Sequence, residues 1–170
     1  MAQDHFMSYS MPLEIYFDSA LVRGILETNQ DRLSNHLILR EGDEAISLRD
    51  ATLRDLAGKP LGVNGTNYLV YMHQVSLIAD LSPQLRPSRA GFEHLYVKKD
   101  PNRAVLGIGR YWIEGNIHLT PGASVHDLLM ARTHFIPVTE AVFLDNKDAP
   151  ARTLLLNRMR INCVTIPNAG

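Results

Sequence analysis

One order of sequence blocks occurs twice in this chain, and that repetition restricts the fold more than any single motif does. Val22-Arg23-Gly24-Ile25-Leu26 matches Ile113-Glu114-Gly115-Asn116-Ile117, with the two glycines in register. Thr28 then lines up with Thr120. Leu33-Ser34-Asn35-His36-Leu37 matches Val125-His126-Asp127-Leu128-Leu129, apolar at both ends in each case. Ile46-Ser47-Leu48 followed by Ala51-Thr52-Leu53 matches Ile136-Pro137-Val138 followed by Ala141-Val142-Phe143. Val70 to Ile78 matches Leu156 to Val164, which sets Val75 against Ile161. Few residues are identical, yet the order is kept throughout. The 170 residues therefore divide into halves of about 80, each small for a domain with a core of its own.

The pattern within each half is that of strands. Leu13-Glu14-Ile15-Tyr16-Phe17 alternates apolar and polar and is rich in β-favouring types. Leu21 to Leu26 follows the turn pair Asp18-Ser19. Ala104 to Ile108 and Tyr111 to Leu119 take these parts in the second half, around Gly109-Arg110. Ala45 to Leu48 and Phe135 to Leu144 are third strands, and Tyr68 to Ile78 and Thr153 to Ile166 each bend into two more. Asn64-Gly65 and Asp145 to Asp148 are the turns before them. Each half also carries one short helix, Leu33 to Leu39 and Val125 to Ala131. Ser124 is placed to cap the second, with Asp127 in its first turn.

Between the halves, residues 81–102 hold Pro83, Pro87 and Pro101 with Arg86, Arg89, Lys98 and Lys99, and read as a basic linker. Phe92, Leu95, Tyr96 and Val97 are too apolar for a free tether and imply docking or an assembly arm. Charge is divided along the chain. Residues 1–85 hold six basic and eleven acidic side chains, a formal −5; residues 86–170 hold eleven and seven, a formal +4. Such halves attract one another, or the opposite half of a second copy. The overall charge of −1 argues against a protein devoted to gripping nucleic acid backbone. No apolar run reaches the length of a membrane span, and Met1-Ala2-Gln3-Asp4-His5 has no secretory pattern, so a cytoplasmic protein is expected.

The run Leu13 to Phe17, then Leu21-Val22-Arg23-Gly24-Ile25-Leu26-Glu27, then Tyr71-Met72-His73-Gln74-Val75-Ser76-Leu77-Ile78 resembles the Sm-like family, its Hfq-like members above all. The resemblance covers residues 12–80 and, more faintly, 103–166. It implies two tandem five-stranded small barrels, closed or nearly so, whose second strand bends at a glycine and whose fourth and fifth strands are edges. It also implies RNA binding, but the residues for that depart from the family. Tyr71-Met72-His73 stands where the family has Tyr-Lys-His, and Asn29 falls where an aromatic would stack a base. The helices between second and third strands are foreign to a minimal Sm barrel.

Chemistry-bearing patterns are few. His118, His126 and His134 recur every eighth residue, which is not a ligand spacing on helix or strand, so no metal is expected. No nucleophile motif occurs, and Cys163 sits in an alternating strand that reads as buried and inert. Gly107-Ile108-Gly109 reads as a hairpin turn rather than a phosphate loop. The candidate binding surface is Lys98, Lys99, Arg103, Arg110, Arg152, Arg158 and Arg160, with Tyr111 or Trp112 for stacking, and Tyr71 and His73 in the first half. Strand alternation places Arg158 and Arg160 on one face. The plainer reading pairs these cations with Glu41, Asp43, Glu44, Asp50 and Asp55 of the acidic half.

The sequence thus points to a mainly β chain of two tandem Sm-like five-stranded barrels, each with a short helical insert. They occupy residues 12–80 and 103–166 with a basic linker between. The expected role is a non-enzymatic assembly module that self-associates through strand edges, without cofactor. The alternative is an RNA- or nucleotide-binding protein using the basic half; an acidic protein is the other partner such a surface fits.

Overall fold

Burial alternates along Tyr9–Tyr16 and Ala20–Thr28 and, in the second half, along Tyr111–Leu119, and a computed structural model of the chain, which describes residues 8–39, 44–62, 67–82 and 99–166, places the strands in antiparallel sheets. The chain is mainly β and divides into two units, residues 1–82 and 83–170.

The first unit contains β1 (Tyr9–Tyr16), β2 (Ala20–Thr28), α1 (Leu33–Leu39), β3 (Ala45–Asp55), β4 (Asn67–Tyr71) and β5 (Leu77–Asp80). Its strand order is β5-β1-β2-β3-β4. Met11, Leu13 and Ile15 of β1 and Val22 and Leu26 of β2 face the core, joined by Ile46, Leu48 and Ala51 of β3 and Val70 of β4. The second unit contains β6 (Asp100–Ile108), β7 (Tyr111–Leu119), α2 (Val125–Met130), β8 (Phe135–Phe143), β9 (Arg152–Asn157) and β10 (Ile161–Thr165). Its order, β10-β6-β7-β8-β9, repeats the first. Ala104, Leu106, Ile108, Ile113, Ile117, Ile136, Val138 and Ala141 are its buried counterparts.

The duplication read from sequence extends to irregular features. The β2–β3 register shifts between Arg23 and Ile25, and the β7–β8 register shifts between Glu114 and Asn116. Gly24 and Gly115 sit at these two bulges. A Cβ on Gly115 would lie 2.6 Å from Val138 Cγ1, and one on Gly24 would lie 2.9 Å from Ala51 Cβ. The glycines are thus required by close approach of the facing strand. That strand carries the extra residue in a left-handed conformation, Asp50 with φ 50° and Glu140 with φ 49°. Such a backbone costs a side-chain-bearing residue roughly 1–2 kcal/mol. Asp50→Gly is therefore expected to raise the thermal unfolding midpoint by a few degrees, about 0.5–1 kcal/mol. A lowered midpoint in calorimetry would show instead that the Asp50 contact with Arg49 outweighs the strain.

Fourth and fifth strands are joined by single 3-10 turns, Met72–Gln74 and Arg158–Arg160. Each starts from an equivalent bond: Met72 N donates to Glu44 O at 2.9 Å, and Arg158 N donates to His134 O at 2.8 Å. This corrects the expectation that Arg158 and Arg160 share one face of a strand. The chain needs a tight turn there because the fifth strand pairs with the first, at Leu13 to Tyr16 and at Val105 to Ile108, rather than with the fourth. The sheets are consequently open. Among the described residues no ladder joins β4 to β5 or β9 to β10, so closed barrels are not observed.

Of the segment read as linker, residues 83–98 lie outside the described residues, as does the turn at Asn64-Gly65. Asp100 to Asn102 already belong to β6. Pro101 lies in the part of β6 that faces β7 alone, since β10 pairs only with Val105 to Ile108.

α2 is fixed at both ends. Ser124 accepts from Asp127 N at 3.2 Å while the Asp127 carboxylate accepts from Ser124 N at 2.7 Å, a reciprocal capping box. These donors hold the Asp127 carboxyl below its ordinary range, the Ser124 backbone N–H foremost. At the other end the Arg158 guanidinium donates to Leu129 O at 2.9 Å, a carbonyl that the helix leaves open, and to Thr133 O at 3.2 Å just beyond it. Arg158→Ala is expected to destabilise the second unit by about 1.5–3 kcal/mol, the range for bonds to a charged donor. A denaturation midpoint equal to that of the parent chain would contradict this assignment.

Candidate functional site

The outward faces of the two sheets are built differently along their width, and that difference locates the candidate site. Central strands carry a charged lattice. In the first unit Glu14 faces Arg23 at 3.6 Å, and Glu27 accepts from Ser10 at 2.7 Å and from Arg49 Nε at 2.7 Å. Arg49 also binds Asp50. In the second unit Glu114 accepts from Arg103 at 3.1 Å and Lys147 at 3.4 Å, and Asn116 donates to Glu140 at 2.7 Å. Ser10 and Arg49 lower the pKa of Glu27, and Arg103 and then Lys147 lower that of Glu114. Arg49 is raised in turn, chiefly by Glu27.

Lowered carboxyl pKa values make stability pH-dependent in one direction. Such groups add stability that is fully present above the unfolded carboxylate pKa and is lost as pH falls through the lowered folded value. Thermal midpoints are therefore expected to fall as pH drops below the ordinary carboxylate range. Glu114→Gln should flatten part of that fall. Midpoints of the variant that track the parent at every pH would exclude Glu114 as a contributor.

Toward certain edges the lattice gives way to apolar and aromatic side chains. On β4, Val70 is buried while Leu69 is 61% and Tyr71 51% exposed. Tyr71 meets the His73 ring edge to face, with centroids 6.1 Å apart. On β10, Asn162, Cys163 and Thr165 are exposed. The exposure of Cys163 corrects the expectation of a buried thiol: β10 is an outer strand that pairs only with β6 within its sheet, so its alternation does not hide it. By contrast β5 buries Leu77, Ile78 and Ala79 in succession, and β9 buries Leu154, Leu155 and Leu156. β4 and β10 are thus the strands whose side chains stay open to solvent.

Trp112 adjoins β10. It pairs across from Gly107, whose missing Cβ would fall 3.3 Å from two atoms of the indole and 2.5 Å from Asn162 Oδ1. The indole therefore lies across the β6 backbone toward Asn162, and is still 51% exposed. Asn162 is held by its donation to Gly109 O at 3.2 Å.

The cations read from sequence as one surface are not brought together. Lys98 lies outside the described residues, and Lys99 is exposed just before β6. Arg103 is held by Glu114, and Arg158 caps α2. Arg110 and Arg160 do share one end of the sheet, where Gly109 N donates to Arg160 O at 3.3 Å. Arg152 begins β9 opposite Ala141. Tyr71 and His73 stand together in the first unit. Of the acidic partners proposed for these cations, Glu41 and Asp43 lie outside the described residues, and Asp50 is bound by its neighbour Arg49. Leu69 was not legible as a site residue, although its place two before Tyr71 on a period-two strand is the signal that marks it.

No group of three or more potential metal ligands occurs among the described residues, and none of their helices is long and apolar enough to cross a membrane. Comparison with protein-family models, curated proteins and solved structures finds no match to the chain.

Proposed function

We propose that this chain is a non-enzymatic assembly module, built from two tandem Sm-like units, that joins further copies of itself through the edges of its sheets. The observation that carries this reading is the exposed β4, whose outward residues Leu69 and Tyr71 are apolar where the neighbouring strands are charged. An edge strand left flat and apolar is a template for another strand unless a partner covers it. Main-chain groups along such an edge supply affinity, and the alternating side chains supply selectivity.

Three features support the Sm-like part of the reading. Both units order their strands with the fourth and fifth at the edges, both bend the second strand at a glycine, and both do so in register with the same bulge. The division of charge, −5 in residues 1–85 against +4 in residues 86–170, favours joining unlike halves of successive copies.

The alternative reading, RNA or nucleotide binding by the basic half, draws on Trp112 and Arg110 at one end of the second sheet. One measurement separates the two. Light scattering of the purified chain, read together with its ultraviolet absorbance ratio, gives mass and nucleic acid content at once. A mass of several chains with a protein-only spectrum is expected. A monomer carrying nucleic acid would replace the assembly reading with the alternative.

A further inference from the structure

We infer that the C-terminal end of α2 and the 3-10 turn beside it form a docking surface for an apolar, acidic segment of a partner protein, with Met130 and Met159 at its centre and Arg132 and Arg160 at its rim. The inference goes beyond self-assembly and does not depend on it.

Met159 at 72% and Met130 at 65% are the most exposed of the large apolar side chains among the described residues. They are distant in sequence and close in the fold. Arg158, which precedes Met159, donates from its guanidinium to the carbonyl of Leu129, which precedes Met130. The backbone N–H of Arg158 also donates to His134 O at 2.8 Å. The turn is thus tied to the end of the helix, and the two methionines flank the same tie. α2 itself is thinly covered. Val125, Leu128, Leu129 and Met130 make up four of its six residues, and none is buried. α1 stands at the same point of the first unit and buries Leu33. A single exposed methionine is ordinary on a protein surface. Two of them side by side, continuing a half-exposed helix, have the composition of an interaction surface.

The surroundings select the occupant. Residues 120–139 and 153–166 carry Arg132, Arg158 and Arg160 with His126 and His134, against one carboxylate, Asp127. That carboxylate is held by Ser124 in the helix cap, at 2.7 Å from both its N and its Oγ. Arg132 is exposed two residues beyond Met130, and Arg160 follows Met159 directly. An apolar centre with a cationic rim complements apolar side chains set among carboxylates. Methionine is unbranched and polarizable, so it conforms to varied apolar shapes. A nucleic acid strand is the poorer fit, because no Phe, Tyr or Trp is exposed in these two stretches to stack a base.

The full-length chain with methyl-labelled methionine carries a reporter at each of its six methionines. Met130→Leu and Met159→Leu assign the two signals that matter. The probes are a synthetic amphipathic peptide of leucine and glutamate and its counterpart with lysine in place of glutamate. The glutamate peptide should shift the Met130 and Met159 methyls saturably while the buried Met11 stays in place, and the lysine peptide should leave all three unmoved. Met130→Ser combined with Met159→Ser should weaken binding by about tenfold or more. Added salt should weaken it as well. Both side chains lie in solvent, so the double variant should fold, and the shifts of the unaltered chain decide the matter if it does not. Absence of shifts, or an equal response to both peptides, would overturn the inference. Larger shifts with a single-stranded oligonucleotide would overturn it in favour of nucleic acid. Methyls already shielded from a soluble nitroxide before any peptide is added would overturn it in favour of an occupant from this chain or a second copy. Association through the sheet edges is read separately, from mass in solution.

Discussion

Gly115→Val is expected to unfold the second unit at moderate temperature while leaving the first intact. The new Cβ alone would meet Val138 Cγ1 at 2.6 Å, Ala141 Cα at 3.0 Å and Thr139 O at 3.0 Å. Two of these three atoms are backbone and cannot swing aside. The third belongs to a buried β-branched residue in a strand, whose rotamer is restricted. Overpacking ordinarily costs about 1–3 kcal/mol, and a clash with fixed backbone belongs at the upper end. For a unit of this size, about 3 kcal/mol lowers the midpoint by roughly 12–24 °C. Gly24→Ala is a milder version, since its nearest neighbours are the Cβ atoms of Ala51 at 2.9 Å and Leu48 at 3.0 Å. Ala51→Gly should recover part of that loss by removing the closer one. Calorimetry that finds Gly115→Val melting with the parent chain would mean that the bulge can relax, and that the glycine is there for another reason.

What the sequence disclosed, and what it withheld, follows from the range of each interaction. Residue-type patterns are local, so strands read either from alternation, as in β1 and β2, or from apolar runs, as in β5 and β9, and Ser124 with Asp127 spelled out a cap. The paired glycines were readable because they recur in matching blocks. Their partners were not: nothing in Asp50 or Glu140 announces a left-handed backbone, which the facing strand imposes. Arg158 and Arg160 fit a continuing strand by composition. The return of β5 to β1, and of β10 to β6, is a long-range pairing that forces a 3-10 turn at that point. Cys163 looked buried by the same local logic, which cannot tell an outer strand from an inner one. Cations dispersed over a fold look like one patch when counted along a half of the chain. Arg103 and Arg158 are occupied by Glu114 and by helix carbonyls, which only the tertiary arrangement reveals.

Replacing both Leu69 and Tyr71 by Lys should convert the assembled protein to single chains whose thermal midpoint matches that of the parent chain diluted below its association range. Neither side chain contributes to the core: both are more than half exposed, and the intervening Val70 holds β4 in place. Surface substitutions of this kind leave stability within about 0.5 kcal/mol. The effect on association is of another size. Two apolar side chains are lost from the β4 edge, and two like charges are placed on every β4, a device that edge strands use against unwanted pairing. If each position contributes about 2 kcal/mol, the combined loss approaches a thousandfold in the association constant. Lys also approaches the basic half of the next copy, so the penalty should ease as salt is raised, whereas loss of apolar contact alone would not. Equilibrium sedimentation of the double variant at low and high ionic strength distinguishes these contributions. Undiminished mass at both would show that β4 is not the edge on which the chain assembles, whatever its exposed side chains suggest.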